Sequence, residues 1–164
     1  MAAQTRRPSI AANWKMHKTH LEAIKAVQQL SYLLDGKTAQ EIEVVICPPF
    51  TALRSLQTLL DADRLPYLLG AQDVHWEEKG ALTGEISPGM LAALKCRYVI
   101  VGHSERRQFF AETDETVAKK VKAVFANGMT PIACVGESLA ERDAGRTEER
   151  IDDVIPQIRS AQKM

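Results

Sequence analysis

Three groups of polar side chains follow predicted strands of this sequence, and their types suit chemistry on a small anionic substrate. Asn13 and Lys15 follow the first strand, His103 follows the fourth, and the segment CVGE at 134–137 follows the fifth. In parallel α/β folds, reactive side chains gather at the carboxyl ends of strands. A lysine can neutralise an anionic group there, and a histidine can polarise a carbonyl group. The alternative for Lys15 is an ordinary solvated surface lysine.

The strands that must position these residues are five short β-rich segments, at 9–12, 43–47, 67–71, 98–102 and 130–135. Apolar residues at helical spacing lie between them, and Thr19 with Glu22 and Ser138 with Glu141 form capping-box patterns. Strands that alternate with helices predict a parallel sheet covered by helices. The pattern fits both a doubly wound sheet and part of a (β/α)8 barrel. The first strand–helix turn has no GxGxxG, so it gives a dinucleotide-binding fold no support.

Local signals predict where the other helices begin and end. Ser87-Pro88 marks the start of a helix that runs through Leu94, and the segment 104–107 opens a helix directly after His103. A further helix is expected from Thr113 or Asp114 to Asn127-Gly128. The last helix is expected around residues 151–158, with Pro156 as a kink.

Composition excludes several classes of partner. Lysine plus arginine and aspartate plus glutamate each number 21, so a charge-driven association with nucleic acid or a membrane surface has no basis. No apolar run approaches the roughly 20 residues that a membrane span needs. The first eight residues lead into no apolar segment of a secretory signal. Three widely spaced cysteines without a CxxC pattern predict free thiols in a reducing cytoplasm, not a zinc or disulfide framework.

Six motifs occur in order along the chain: NWKMH (13–17), CPPFT (47–51), GAQDV (70–74), ALTGEIS (81–87), YVIVGHSERR (98–107) and PIACVGE (131–137). Together they resemble the N-terminal portion of the triosephosphate isomerase family, over nearly the whole chain up to about residue 149. The resemblance implies a TIM (β/α)8 barrel. Residues 1–164 would then form a single, truncated domain with about the first five βα units of a barrel that takes roughly 250 residues.

The resemblance also implies an activity and residues for it. Members of the family interconvert dihydroxyacetone phosphate and glyceraldehyde 3-phosphate through an enediol(ate), in glycolysis and gluconeogenesis, without a metal or another cofactor. Lys15 would hold the substrate phosphate and offset charge on the carbonyl oxygen, and Asn13 would fix Lys15 and touch that oxygen. His103 would act as a neutral electrophile, kept neutral by the helix that follows it. Glu105 would be a buried glutamate beside the lysine, and Cys134 is better explained as a packing residue.

The segment 72–87 is a long stretch without periodic pattern, and such loops are usually functional. By the resemblance it reaches a second subunit of a homodimer, with Gln72 and Thr83 at the interface. Glu85 and Arg106 resemble a charged pair there. A flexible surface lid is the alternative, but Trp76 and Leu82 would be poor choices for a solvated loop.

The resemblance assigns the catalytic glutamate base, the lid and the phosphate-binding amides to no residue among 1–164. We therefore expect a triosephosphate isomerase as the parent protein and a nearly inactive 164-residue chain. The alternatives are a non-catalytic barrel fragment that assembles with itself or a complementary chain, and an unrelated α/β enzyme of phosphorylated sugars. The six motifs argue against the last of these.

Overall fold

A computed structural model describes residues 7–34, 38 and 41–162, with side chains up to residue 160. Its strands are β1 (Ser9–Asn13), β2 (Glu43–Cys47), β3 (Tyr67–Ala71), β4 (Cys96–Val101) and β5 (Thr130–Ala133). Its helices are α1 (His20–Leu33), α2 (Phe50–Asp63), α3 (Pro88–Ala93), α4 (Ser104–Phe109), α5 (Asp114–Ala126), α6 (Leu139–Asp143) and α7 (Thr147–Gln162). Residues 1–6, which bear on the expected lack of a secretory leader, lie outside the described residues.

The strands form one sheet in chain order, β1-β2-β3-β4-β5. β1 pairs in parallel with β2, with Ser9 opposite Glu43 and Asn13 opposite Cys47, and β2 pairs in parallel with β3. The described residues form two compact units, one within 7–72 and 93–98 and the other within 73–92 and 99–162. β4 therefore contributes its first half to one unit and its second half to the other. The expected α/β class, with strands alternating with helices, is confirmed.

The core of the first unit centres on β2. Val44, Val45, Ile46 and Cys47 are buried in succession, which is typical of a parallel strand covered on both faces. Helices α1 and α2 supply the covering residues Ala23, Val27, Ala52, Leu53, Leu56 and Leu60. β1 is more open, because its first three residues are exposed and Ile10 is 58% exposed. This unit thus has a well-buried centre and an exposed edge strand.

The second unit is built on β4 and α5. Val99 and Val101 of β4 are fully buried, and so are Val117, Val121 and Val124, which lie on one face of α5. Val154 of α7 is also buried. These residues form the apolar core of the second unit.

Four charged groups form a mostly buried network in the second unit. Lys120 of α5 places Nζ 2.6 Å from Asp73 Oδ1 and 2.8 Å from Glu112 Oε1, and Arg106 Nε lies 2.8 Å from Asp73 Oδ2. Lys120, Asp73 and Glu112 are each less than a tenth exposed. Burial raises the pKa of Asp73, and the positive charge of Lys120 opposes that rise. Through Asp73, the network joins the loop 72–87 to α4 and α5.

Most helix boundaries agree with the sequence prediction. The capping boxes at Thr19 and Ser138 are both formed, and α5 begins after Thr113 as expected. β4 begins two residues before the predicted segment, and β5 ends two residues before its predicted end. Pro156 lies inside α7, which begins at Thr147. Within the described part of the chain, no helix has both the length and the apolar character that a membrane span requires.

Candidate active site

Asn13, Lys15 and Gln72 are brought together at the carboxyl ends of β1 and β3, in the first unit. The side-chain oxygen of Asn13 accepts a hydrogen bond from the Lys15 backbone N–H at 2.9 Å, in an Asx-type turn. Gln72 Nε2 donates to the Lys15 carbonyl and to the Cys47 carbonyl, each at 2.9 Å. Two side chains therefore hold the peptide groups on both sides of Lys15, while its own side chain is exposed.

The backbone of Lys15 is in the left-handed region, with φ of 52°. A non-glycine residue pays a conformational cost of about 1 kcal/mol or more there, and such residues cluster at binding and catalytic sites. The hydrogen bonds from Asn13 and Gln72 offset that cost. The arrangement presents a lysine ammonium from a fixed backbone at a strand end, which suits the binding of a phosphate or another anion.

His103 lies two residues after the end of β4, in the second unit, and caps helix α4. Its Nδ1 accepts a hydrogen bond from the Glu105 backbone N–H at 3.2 Å. A ring nitrogen that accepts from a backbone N–H carries no proton, so the proton of the neutral imidazole resides on Nε2. Nε2 is then the nitrogen that can donate to a carbonyl or an enediolate oxygen. The side chain of His103 is 21% exposed, so it is accessible but largely desolvated.

Glu105 differs from the expected buried glutamate. Its side chain is 43% exposed, and its Oε2 lies 3.5 Å from His103 Nδ1. In the second unit, the backbone N–H of Glu105 therefore donates to His103 Nδ1, and its carboxylate lies beside the same imidazole ring. A role beside a lysine remains a prediction.

A cavity of about 220 Å³ opens beside the histidine in the second unit. Its lining includes His103, Ser104, Arg107, Cys134 and Glu137. Burial raises the pKa of the Cys134 thiol, which disfavours a thiolate nucleophile and agrees with a packing role. Arg142 Nε lies 2.7 Å from Glu137 Oε1 and holds that carboxylate at the cavity wall.

The loop between β3 and α3 contains the residues expected at a subunit interface. Its two ends meet through a hydrogen bond from the His75 N–H to the Ile86 carbonyl at 2.8 Å. Thr83 and Glu85 are exposed. Arg106 faces Asp73 within the same unit, as described above, and lines a second cavity together with Glu85 and Trp76.

Sequence reasoning missed three contributions to these groups. Gln72 was expected at an interface, yet its amide also binds the Lys15 backbone. Its place directly after β3 could have indicated this, because the ends of parallel strands share one edge of a sheet. Arg107 Nε donates to the carbonyl of Gly102, the residue before His103. Lys120 pairs with Asp73, which lies 47 positions earlier in the sequence. Nothing in the local spacing indicates either of these contacts.

Comparison with known proteins agrees with these features. A sequence model of the family described as "Triosephosphate isomerase" matches residues 8–163. The chain is 57% identical to the triosephosphate isomerase of Streptomyces coelicolor over 145 residues, which is 88% of the chain and 56% of that protein. It is 48% identical to the enzyme of Corynebacterium efficiens over 161 residues, which is 98% of the chain and 60% of that protein.

The chain thus spans somewhat more than half the length of the curated relatives it matches. The family match confirms the expected TIM-barrel family. The described residues form five parallel-sheet strands of the kind that make up such a barrel. Asn13 is the last residue of β1, and Lys15 and His103 each lie two residues beyond the end of a strand, as the strand pattern predicts. The chain belongs to the triosephosphate isomerase family.

Proposed function

We propose that this chain supplies the substrate-polarising residues of a triosephosphate isomerase, which interconverts dihydroxyacetone phosphate and glyceraldehyde 3-phosphate. The observation that carries the proposal is the cap at His103, in which Nδ1 accepts a hydrogen bond and Nε2 is the nitrogen left to donate, two residues after the end of β4. A neutral imidazole can donate a hydrogen bond to the substrate carbonyl and to the enediolate that forms from it. The relatives named above are triosephosphate isomerases, which supports the same reaction class.

In the proposed reaction, Lys15 binds the phosphate and offsets the negative charge that develops on the carbonyl oxygen. An ammonium group is a compact point charge, which suits both roles. Asn13 and Gln72 hold the backbone of Lys15, so the ammonium is presented from a fixed position. The reaction moves one proton between adjacent carbons of the substrate and one between the oxygens on those carbons, so it requires neither an oxidant nor a second substrate. We propose that it uses no metal and no other cofactor.

The test is a chimaera in which this chain replaces the matching part of the Streptomyces coelicolor enzyme. In that background we expect Lys15→Ala to lose measurable isomerase activity, because both the phosphate and the oxyanion lose their cation. His103→Gln should lower kcat by about 10²–10⁴, the usual range for one acid–base group. Lys25→Ala is the matched control, since Lys25 is an exposed lysine of α1 in the same unit. Near-normal turnover in Lys15→Ala contradicts the proposal.

The resemblance assigns the base to no residue among 1–164, so we propose that the chain by itself is nearly inactive. A second candidate function, assembly with another copy or with a complementary chain, is supported by the open edge of the sheet. Ile10 on β1 is 58% exposed, and every residue of β5 is only partly buried. Exposed strand edges favour pairing with another chain.

Light scattering and a coupled isomerase assay on the 164-residue chain separate these possibilities. Inactive chains that associate support the assembly proposal, and we expect that result. A compact monomer with full isomerase activity contradicts both the proposed inactivity and the assembly.

For the complete enzyme we propose a homodimer formed through the loop 72–87, with Gln72, Thr83, Glu85 and Arg106 at the interface. Support comes from the exposed side chains of Thr83, Glu85 and Leu82 on a loop whose ends are tied together. We also propose that residues 1–164 act as one domain, because β4 belongs to both compact units. A cytoplasmic location fits three unpaired cysteines, since reducing compartments keep such thiols free.

A further inference from the structure

The residue that joins His103 to its strand is the most flexible type in a protein. Gly102 follows β4, has a φ of +72°, and lacks the side chain that restricts other residues. A rotation of its peptide group would turn the backbone of His103 and move the imidazole off the α4 cap. Something must therefore hold the Gly102 peptide group if the cap is to persist.

Arg107 provides that restraint. Its Nε donates to the Gly102 carbonyl at 2.8 Å, and its backbone N–H donates to the His103 carbonyl at 3.1 Å. The guanidinium also lies close to the glycine itself, since a Cβ on Gly102 would stand 3.0 Å from Arg107 Nη2. One side chain thus fastens the strand end to the first turn of α4, with His103 between the two anchoring points.

A carboxylate and a second arginine hold Arg107 in turn. Arg107 Nη1 donates to Asp114 Oδ1 at 2.6 Å, and Arg150 of α7 donates from Nη1 to Asp114 Oδ2 at 2.7 Å. These three side chains are between 21% and 23% exposed, so solvent screens their interactions only in part. The chain of contacts runs from Arg150 through Asp114 and Arg107 to the Gly102 carbonyl, and it lies entirely within the second unit.

The guanidinium of Arg107 has surroundings that go beyond its ion pair with Asp114. Its Nη2 is buried and has no hydrogen-bond partner within the described part of the chain. Arg107 also lines the cavity beside His103, so its side chain belongs to the surroundings of the histidine as well as to the ion pair. The planar guanidinium reaches Gly102 and Asp114 at the same time, which a lysine ammonium cannot do with the same fixed geometry.

We propose that Arg107 is a positioning residue that keeps His103 in its Nδ1-accepting, Nε2-protonated form by anchoring the Gly102 peptide group, with Asp114 and Arg150 holding Arg107 in place. The inference deepens the proposed function, in which the imidazole of His103 polarises the substrate. Its test reads the tautomer of the ring and requires no turnover, so failure of the isomerase assignment and failure of this inference are distinguishable.

The experiment records imidazole nitrogen resonances of the whole chain, labelled with ¹⁵N, at about pH 8, where ordinary imidazoles are neutral. His103→Gln identifies the His103 signals. In the unaltered chain we expect a pyridine-like Nδ1 and a pyrrole-like Nε2. In Arg107→Met the two signals should approach each other by roughly half of their separation or more, as two tautomers exchange.

His75 is a built-in control for this experiment. Its Nδ1 accepts a hydrogen bond from the Glu77 backbone N–H at 3.0 Å, the same i to i+2 contact that His103 makes. The signals of His75 should stay unchanged in Arg107→Met when the protein remains folded. His103 signals that also stay unchanged in the folded variant overturn the proposal.

A milder pair of variants decides the matter if Arg107→Met unfolds and the signals of His75 collapse as well. Arg150→Met should shift His103 in the same direction by a smaller amount, and Arg150→Lys should restore part of the unaltered spectrum because the charge facing Asp114 remains. Arg159→Met removes the same charge from an exposed position of α7 and should leave His103 unmoved. An equal shift in Arg159→Met and Arg150→Met overturns the proposal.

Discussion

Gly102 is a position in the second unit where both the backbone conformation and the neighbouring atoms disfavour any side chain. Its φ of +72° lies in the left-handed region, and an added Cβ would stand 3.1 Å from Val117 Cγ2 and 3.2 Å from the Cys134 carbonyl oxygen. Gly128 has nearly the same φ, +71°, but an added Cβ there would have no neighbour within 4 Å. Comparing an alanine substitution at each glycine therefore distinguishes the free-energy cost of the left-handed backbone from the cost of steric crowding.

We expect Gly128→Ala to lower the free energy of unfolding by about 1–2 kcal/mol, the cost of a left-handed alanine. Gly102→Ala should cost about 1–3 kcal/mol more than that, because crowding is added to conformation. Urea unfolding of the two variants measures the difference. Equal losses in the two variants would mean that the space around Gly102 relaxes without cost.

At the scale of elements, β2 and β3 meet at a position where one strand carries a thiol and the other a glycine. Gly70 of β3 faces the Cys47 Sγ so closely that a Cβ could not be added without a shift, and Val45 Cγ1 would lie 3.1 Å from it. Cys47 is fully buried, and burial raises its pKa to about 12, so this thiol is a packing group. The Cys47 sulfur occupies the space that a side chain at position 70 would need, so the two strands pack together with one large and one minimal residue at this point.

This contact predicts a strong coupling between the two positions. Gly70→Ala alone should destabilise the chain by about 1–3 kcal/mol through overpacking. In a Cys47→Ala background the same change should cost much less, because the sulfur that it meets has gone. A double-mutant cycle of unfolding free energies measures the coupling. Cys134→Ala is the control, since this thiol belongs to the second unit and is not among the nearest neighbours of Gly70, and its cycle should be additive.

The elements also show how far the sequence carries a prediction. The helix starts at Thr19, Thr113 and Ser138 depend on side chains within one turn, so local sequence determines them and the predictions are confirmed. The end of β5 is different, because apolar residues continue to Val135 while the strand ends at Ala133. Where a strand stops depends on pairing with its neighbour, which the local sequence does not contain.

The candidate site shows the same division. The places of Asn13, Lys15 and His103 were predictable because each lies at or just beyond the end of a strand. Arg107 and Arg150 were not, since the anchoring of Gly102 connects residues as many as 36 positions apart through Asp114. Contacts of that kind depend on the packing of α4, α5 and α7, which spacing along the chain does not reveal.

At the scale of the whole molecule, positive and negative charges balance along the chain, and they balance again within the four-residue network of the second unit. The chain carries 21 cations and 21 anions among its Lys, Arg, Asp and Glu residues, and the buried network has two of each. Removing one member leaves a buried charge without compensation, which usually costs about 3–5 kcal/mol. The network is therefore a point at which the stability of the second unit depends strongly on a single side chain.

We expect Lys120→Met to destabilise the protein by about 3–5 kcal/mol at neutral pH. The variant should recover part of that loss in acid. Burial already raises the pKa of Asp73 in the folded chain, and loss of Lys120 removes the opposing effect. A carboxyl whose folded pKa lies above its unfolded value binds protons preferentially in the folded state, so stability rises as the pH falls toward about 4.

Unfolding free energies of Lys120→Met measured between neutral pH and about pH 4 check this, with Lys122→Met as the matched control. Lys122 is an exposed lysine of the same helix, so its replacement should cost little at any pH. A loss in Lys120→Met that grows steadily on acidification, relative to Lys122→Met, would contradict the assigned role of Asp73.

The chain-order sheet has a consequence for how this protein is made. Because each strand lies beside the strand that precedes it in the sequence, β2 needs nothing synthesised after it in order to pair with β1, and β3 then needs only β2. The paired residues are nevertheless far apart along the chain, as Ser9 and Glu43 are, so the strand order removes any wait for a later segment but does not make the contacts local. The strand order therefore allows assembly in step with translation, in which β1 and β2 pair while the later strands are still being synthesised.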